Sequence, residues 1–240
     1  MNVSNQINNF DVCIIGGGHA GIEAAWIAAQ FSALKICLIS LHDVPLASAP
    51  CNSSIGGVGK GQIVREIDAL GGLMGRLADR AGIHFRTLNE SKGFAVQSTR
   101  VQIDKDLYSG FALDALASAP GVTLIIAKVQ SLELCSDGTF QLYLVDLPAI
   151  LSRCVVLTAG TFLGGLLHTG AESWKGGRIN CSGSSSLRNF LPFIKFRDIR
   201  FKTGTPPRLK RESIDFSLLT PQFSDPHAST FHLFNLPSER

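Results

Sequence analysis

The sequence predicts an α/β fold: a parallel sheet that carries an antiparallel β insert and leads into the start of a second, incomplete domain. Three observations predict it. The β-branched run Asp11–Ile15 ends in Gly16-Gly17-Gly18, and an Ala-rich helical stretch and a second apolar run, Lys35–Ile39, follow. Two alternating segments, Val129–Leu134 and Phe140–Leu147, flank Asp137-Gly138, which is a hairpin signal. A further apolar run from Cys154 closes on Thr158-Ala159-Gly160.

Composition narrows the class. The chain has 240 residues, 45% hydrophobic and 17% charged, with a net charge of +3. That is too apolar for disorder, and the charge is too small to argue for nucleic acid by itself. The length suits one large domain, or one domain and part of another. No uncharged apolar run is long enough to span a membrane. Met1–Phe10 has neither the basic-then-apolar order of a secretory signal nor the Arg-rich pattern of a transit peptide. Six cysteines with no C-x-x-C pair do not make a disulfide scaffold. Cys13, Cys37 and Cys154 lie in apolar runs and are expected in the core. A reducing, cytoplasmic location is expected.

The elements follow in order. Asp11–Ile15 is a buried strand, His19–Ala33 a helix with Trp26 and Phe31 in the core, and Lys35–Ile39 a second strand, together one βαβ unit. Residues 41–62 are rich in Pro, Ser and Gly and are expected as a long loop. Helical periodicity returns from Ile63 to Ala81, interrupted at Gly71-Gly72. Residues 84–100 are polar and expected as loop; Gln102–Ala119 is expected as a helix, Val122–Ala127 as a third strand. The insert covers about 128–150. The first domain is placed at 1–165 and the second, truncated, at 166–240, where regularity falls and 221–240 is loop-like.

Gly16-x-Gly18-x-x-Gly21 lies between a strand and a helix, the context in which this fingerprint has physical meaning. The first glycine allows a tight turn, the second lets a diphosphate reach the backbone, and the third lets helix and strand pack closely. The helix N-terminus adds unpaired N–H groups and a positive dipole end. The acid that usually binds a ribose at the end of the second strand is absent. Ser40 stands there; Asp43 is either its substitute or a surface acid. The hairpin insert followed by Thr158-Ala159-Gly160 resembles the two-dinucleotide-binding-domain flavoproteins, and that resemblance favours FAD over NAD, in a Rossmann-like FAD-binding domain.

The run Cys51-Asn-Ser-Ser-Ile-Gly-Gly-Val-Gly-Lys-Gly61 is not a P-loop, because Ser54 and Gly61 break G-x-x-x-x-G-K-[ST]. Cys51 sits in a polar, glycine-flanked loop before a helix, a setting that can favour the thiolate. An inert exposed thiol is the other reading. Lys195, Arg197, Arg200, Lys202, Arg208, Lys210 and Arg211 form the densest basic stretch, either a phosphate-backbone contact or a solvated face. No His/Cys/Asp cluster has ligand spacing, so no metal is expected.

Eight ordered blocks resemble the MnmG (GidA) family. They are Gly16-Gly-Gly-His-Ala-Gly21, Cys51 to Gly61, Asp68-Ala-Leu-Gly-Gly-Leu-Met74, Ala81-Gly-Ile-x-Phe-Arg86, Leu88-Asn-x-Ser-Lys-Gly93, Val156-Leu-Thr-x-Gly-Thr-Phe-Leu163, Gly176-Gly-Arg178 and Lys202-Thr-Gly-Thr-Pro-Pro-Arg208. The resemblance implies a FAD-dependent enzyme modifying C5 of the tRNA wobble uridine with a carboxymethylaminomethyl or aminomethyl group. It further implies NADH and methylenetetrahydrofolate as co-substrates, an MnmE-like GTPase as partner, and a homodimer. Under it Cys51 is the catalytic cysteine, and FAD contacts fall on Gly16, Gly17, Gly18, His19, Ala20, Gly21, Val129 and Ser184. Two alternatives stand beside it. A related folate- and FAD-dependent tRNA uridine methyltransferase would share the glycine turn but not the Lys202–Arg208 block. A catalytically silent fragment that at most binds FAD is the reading from another class.

This sequence departs from the family's pattern in three places. Ser53 replaces a usual Pro. Lys92-Gly-Phe-Ala-Val-Gln97 replaces Lys-Gly-Pro-Ala-Val-Arg, and Ile179-Asn-Cys-Ser-Gly183 replaces a stretch with an acid and prolines. The family's chain is also far longer, so the resemblance places a later catalytic cysteine, a nicotinamide-binding segment, the last FAD-contacting strand and the partner-docking helices past Arg240.

Overall fold

The computed structural model describes residues 9–31, 33–49, 52–179, 181, 194–195, 197, 199, 201–204, 207, 209–227 and 229–232. The strands are β1 (Asn9–Ile15), β2 (Ile36–Ser40), β3 (Ser54–Gly56), β4 (Gly82–Leu88), β5 (Ser98–Ile103), β6 (Val122–Ile126), β7 (Val129–Leu134), β8 (Phe140–Leu144), β9 (Leu147–Leu157), β10 (Leu166–Thr169) and β11 (Glu172–Lys175). The helices are α1 (His19–Ala28), α2 (Gly61–Ala69), α3 (Met74–Arg80) and α4 (Lys105–Ala117).

The main sheet has the order β6-β2-β1-β9-β8-β7. Its β6, β2, β1 and β9 run parallel; β8 and β7 join antiparallel. The α/β fold and the antiparallel insert are therefore as the sequence predicts. β9 serves both parts: Leu147–Ser152 pairs with β8, and Leu151–Leu157 pairs with β1. Both faces of the central strands are covered, which is why these strands are apolar throughout rather than alternating. Ile14, Ile36 and Leu38 enter one core with Ile22, Ala25, Tyr108, Ala112 and Leu116 from the helices. Cys13, Ile15, Cys37 and Ile39 enter the other, against Leu132, Leu142 and Ile150 of the insert.

A second, antiparallel sheet, β3-β5-β4, packs beside α2 and α3. Here the sequence reading is corrected. Residues 84–100 are not all loop, because β4 and β5 lie at either end of that stretch. Their polar side chains hid them; Ser98 and Thr99 are buried polar residues, and Ser98 Oγ donates to the Gly57 carbonyl at 2.6 Å. β3 likewise forms inside the expected long loop, and the helix expected from Gln102 starts at Lys105. α1 stops at Ala28, which leaves Phe31 65% exposed rather than in the core. Cys154 is exposed while Cys13 and Cys37 are buried, since β8 stops pairing with β9 at Ser152. The stretch after Gly165 holds the β10–β11 hairpin. Among the described residues no helix is long and apolar enough to cross a membrane.

The break at Gly71-Gly72 is organised from α1. Glu23 accepts from Leu73 N at 2.9 Å and Met74 N at 2.6 Å, capping α3 from a neighbouring helix. Trp26 Nε1 donates to the Gly71 carbonyl at 2.9 Å. Burial pushes the Glu23 carboxyl above the usual carboxylate range, and the two N–H donors oppose that shift. Glu23→Ala leaves both donors unpaired and is expected to cost about 2 kcal/mol. Denaturant titration would show a lower midpoint at unchanged slope; an unmoved midpoint would mean α3 is held by packing alone.

Candidate functional site

From β1 the chain steps through α1 to β2 and on to β6, while β9 lies on the other side of β1. Strand order thus reverses between β1 and β9, the place where open α/β sheets bind ligands beyond their carboxyl ends. The glycine turn leaves β1 there, and Thr158-Ala159-Gly160 leaves β9 beside it.

The four glycines serve different ends. Gly16 has φ +118°, and a Cβ there would lie 2.6 Å from the Thr158 carbonyl oxygen. A Cβ on Gly17 would meet the Ser40 hydroxyl and Leu46, and one on Gly21 would overlap the Gly16 carbonyl. Gly18 is unlike these. It is exposed, with φ −74° and ψ −175°, an ordinary backbone conformation, and no atom of the described residues lies within 4 Å of where its Cβ would sit. Neither backbone conformation nor packing among the described residues demands glycine at position 18.

The helix beyond is left open. α1 has no side-chain cap and no acid in its first turn. α2 is likewise without a side-chain cap or a first-turn acid, whereas in α4 Asp104 accepts from Asp106 N at 2.9 Å and Leu107 N at 3.0 Å. The first-turn N–H groups of α1 instead remain available to an anion, where the helix dipole favours negative charge.

Two braces hold the turn. Thr158 Oγ1 donates to the carbonyls of Ile15 at 3.0 Å and Gly16 at 2.9 Å. On the other side, residues 41–49 fold back over the turn. Ala47 N donates to the Gly17 carbonyl at 2.9 Å, and Ser109 Oγ to the Leu46 carbonyl at 2.6 Å. Arg178, from the Gly-Gly-Arg block, donates from Nη1 to Ser48 Oγ at 2.7 Å. The sequence marks Thr158 and Arg178 as motif positions; only the structure shows them as supports of the turn.

The remaining predicted residues divide. Ala20 is exposed on the first turn of α1. Val129 is buried at the start of β7, three residues past the carboxyl end of β6 and so at the same rim of the sheet. Ser40, where the ribose acid was expected, is 3% exposed at the end of β2. Cys51 and Ser184 lie outside the described residues. Of the basic stretch, Lys195, Arg197, Lys202, Lys210 and Arg211 are exposed; Arg200 and Arg208 are outside the described residues.

His19 turns inward. Its ring lies 5.7 Å from that of Tyr108, and burial holds its imidazole below the ordinary histidine range. Nε2 of His19 and the hydroxyl of Tyr108 are buried without a hydrogen-bond partner among the described residues. Burial, and then the Glu23 charge, raise the Tyr108 phenol.

Fold and turn together define a dinucleotide-binding α/β protein. The particular family follows from comparison with known proteins. The model of the family "Glucose inhibited division protein A" matches residues 11–240, and the chain belongs to that family. Two crystal forms of Aquifex aeolicus GidA match at 38% identity. Form II gives a TM-score of 0.87 over 95% of this chain and form I 0.86 over 96%. This chain covers 38% of the length of either. A GidA-related protein from Thermus thermophilus shares the fold at 20% identity and TM-score 0.54, over 78% of this chain and 69% of its own.

The unpartnered phenol can be tested. Tyr108→Phe keeps the ring beside His19 and removes a buried hydroxyl with nothing to bond, so thermal unfolding is expected to rise or stay level, by at most about 1 kcal/mol. A loss of more than that would mean the hydroxyl is satisfied in solution.

Proposed function

We propose that this chain forms the FAD-binding part of a GidA-type flavoenzyme that modifies C5 of the tRNA wobble uridine. The observation that carries the cofactor reading is Gly18, whose missing side chain leaves open space at an uncapped helix N-terminus. A diphosphate fits that donor set: backbone N–H groups from Gly18 into the first turn of α1, with no carboxylate there to repel it. Bound FAD would supply two-electron redox chemistry. The chain's own contribution is to hold the turn rigid through Thr158 and residues 41–49. Ser40, not a carboxylate, would face the ribose side of such a ligand.

Family membership and 38% identity to Aquifex GidA support the rest of the reading. NADH would recycle the flavin, methylenetetrahydrofolate would supply the one-carbon unit, and an MnmE-like GTPase and a second copy of the protein would be partners. Cys51 would be the reactive thiol at the uridine ring, and the exposed lysines and arginines of 195–211 would meet the tRNA backbone.

The cofactor reading is tested by flavin fluorescence. The chain should quench FAD saturably. Gly18→Ala should fold normally, its Cβ meeting no protein atom, yet bind FAD at least about tenfold more weakly. Gly21→Ala should instead melt early, because its methyl overlaps the Gly16 carbonyl. Equal FAD binding by wild type and Gly18→Ala would remove the support for a diphosphate at this turn.

The modification itself is tested by nucleoside analysis of tRNA from a strain lacking it. Residues 1–240 alone should restore nothing, since a site needs its supporting shell held to within about an ångström. The same residues joined to the C-terminal part of Aquifex GidA should restore the modified uridine, and Cys51→Ser in that protein should abolish it. Restoration with Ser at position 51 would exclude the thiol.

A further inference from the structure

The described residues from 224 to 232 return across the molecule and fasten to the small sheet and to α2 and α3. Ser224 Oγ accepts from Phe85 N at 3.1 Å, and Asp225 N donates to the Phe85 carbonyl at 3.0 Å. The Asp225 carboxylate accepts from Thr87 N at 2.6 Å and pairs with Arg86 Nε at 2.8 Å. Arg65 donates to Ser229 Oγ at 2.8 Å. Asp79 accepts from the backbone N–H groups of both Phe231 and His232, at 2.9 and 2.8 Å. His232 Nδ1 lies 2.8 Å from Asp68 Oδ1, with side chains 14% and 3% exposed.

These contacts drive one side chain inward. Phe231 is 0% exposed, inside the core shared by α1, α3 and α4. Its ring abuts Gly56: a Cβ on Gly56 would lie 2.5 Å from Phe231 Cζ. Behind it, a Cβ on Gly75 of α3 would lie 3.1 Å from Phe231 Cβ. The Arg65 guanidinium stands 5.9 Å above the ring centroid. Gly56 opens the glycine-rich segment that leads to α2. There the Gly57 carbonyl gathers three donors, Ser98 Oγ, Lys60 N and Gly61 N, at 2.6, 2.9 and 2.9 Å, and Gly57 N reaches the Thr99 carbonyl at 2.9 Å. A run with so many glycines has little stiffness of its own. Its shape comes from β5 on one side and the Phe231 ring on the other.

We propose that Phe231 is a positioning residue for the loop that follows Cys51: held by Asp79 and the Asp68–His232 pair, its ring sets the backbone of Gly56–Gly61 from the far end of the chain. The consequence for chemistry rests on the reading of Cys51 as the reactive thiol; the geometry does not. The fold makes the loop dependent on a segment more distant in sequence than any strand of the main sheet. Neither β3 nor α2 alone would hold Gly56 against thermal opening, because β3 is three residues long.

The test compares the wild-type chain with Phe231→Ala and the milder Phe231→Leu. Hydrogen exchange at the Gly57, Lys60 and Gly61 amides should accelerate at least about tenfold in one or both, while β1, β2 and β9 amides keep their protection. Iodoacetamide labelling of Cys51, followed across pH, should slow at least about threefold near neutrality and shift its midpoint upward, with buried Cys13 and Cys37 unchanged. Unchanged loop exchange in a folded Phe231→Leu would overturn the proposal. So would loss of protection spread evenly over loop and sheet in both variants, since that would make Phe231 a general core residue. If wild-type Cys51 labels no faster than an ordinary exposed thiol, the reading of Cys51 fails, and the loop amides still decide the positioning role.

Discussion

The close passage of two backbones at the end of β1 governs the rest of this structure. Gly16 and Gly21 approach so nearly that a methyl group on Gly21 would overlap the Gly16 carbonyl, and Gly16 itself abuts Thr158 on the neighbouring strand. That passage brings α1 down onto the sheet, aims its free N-terminus beyond the strand ends, and sets β9 close enough for Thr158 Oγ1 to bond two carbonyls of the turn. Gly18, between Gly16 and Gly21, faces open space among the described residues.

α1 distributes this constraint further. From its buried side it presents Ile22 and Ala25 to the core, and from the flank Glu23 and Trp26 to the Gly71-Gly72 break. The helix that would receive a ligand at its start therefore also sets the start of α3. α3 in turn supplies Asp79 and Gly75 to the segment around Phe231. The glycine turn and the loop after Cys51 are thus joined through packed helices and carboxylate caps. Buried polar contacts of this kind are satisfied one by one, so they specify a single arrangement where apolar packing would tolerate several.

Membership of the GidA family and the part-length match to Aquifex GidA frame what these residues can be asked to do. The described portion supplies a braced glycine turn at the switch point of the sheet and a braced loop at Gly56–Gly61. The His19 ring faces Tyr108, and burial holds its imidazole below the ordinary histidine range. Anion binding at the glycine turn would rest on backbone N–H groups and the helix dipole, which are insensitive to pH near neutrality.

The sequence by itself determined the strand–turn–helix unit, the hairpin insert, the second glycine-ended strand and the family. Each is a local pattern: apolar runs buried on both faces, Asp137-Gly138 between alternating segments, and glycines at fixed spacing. It also marked the glycine turn as the candidate ligand site. Only the tertiary structure showed which atoms crowd Gly16, Gly17 and Gly21, and that among the described residues none crowds Gly18. It decided β4 and β5, whose polar residues pair across a sheet that no local periodicity reveals, and it moved Cys154 and Phe31 to the surface, because burial depends on where a neighbouring strand or helix stops. It placed Glu23 on α3 and Phe231 beneath Gly56. Those contacts join positions far apart in the chain, and side-chain carboxylates and rings acquire such partners only when folding closes the long loops between them.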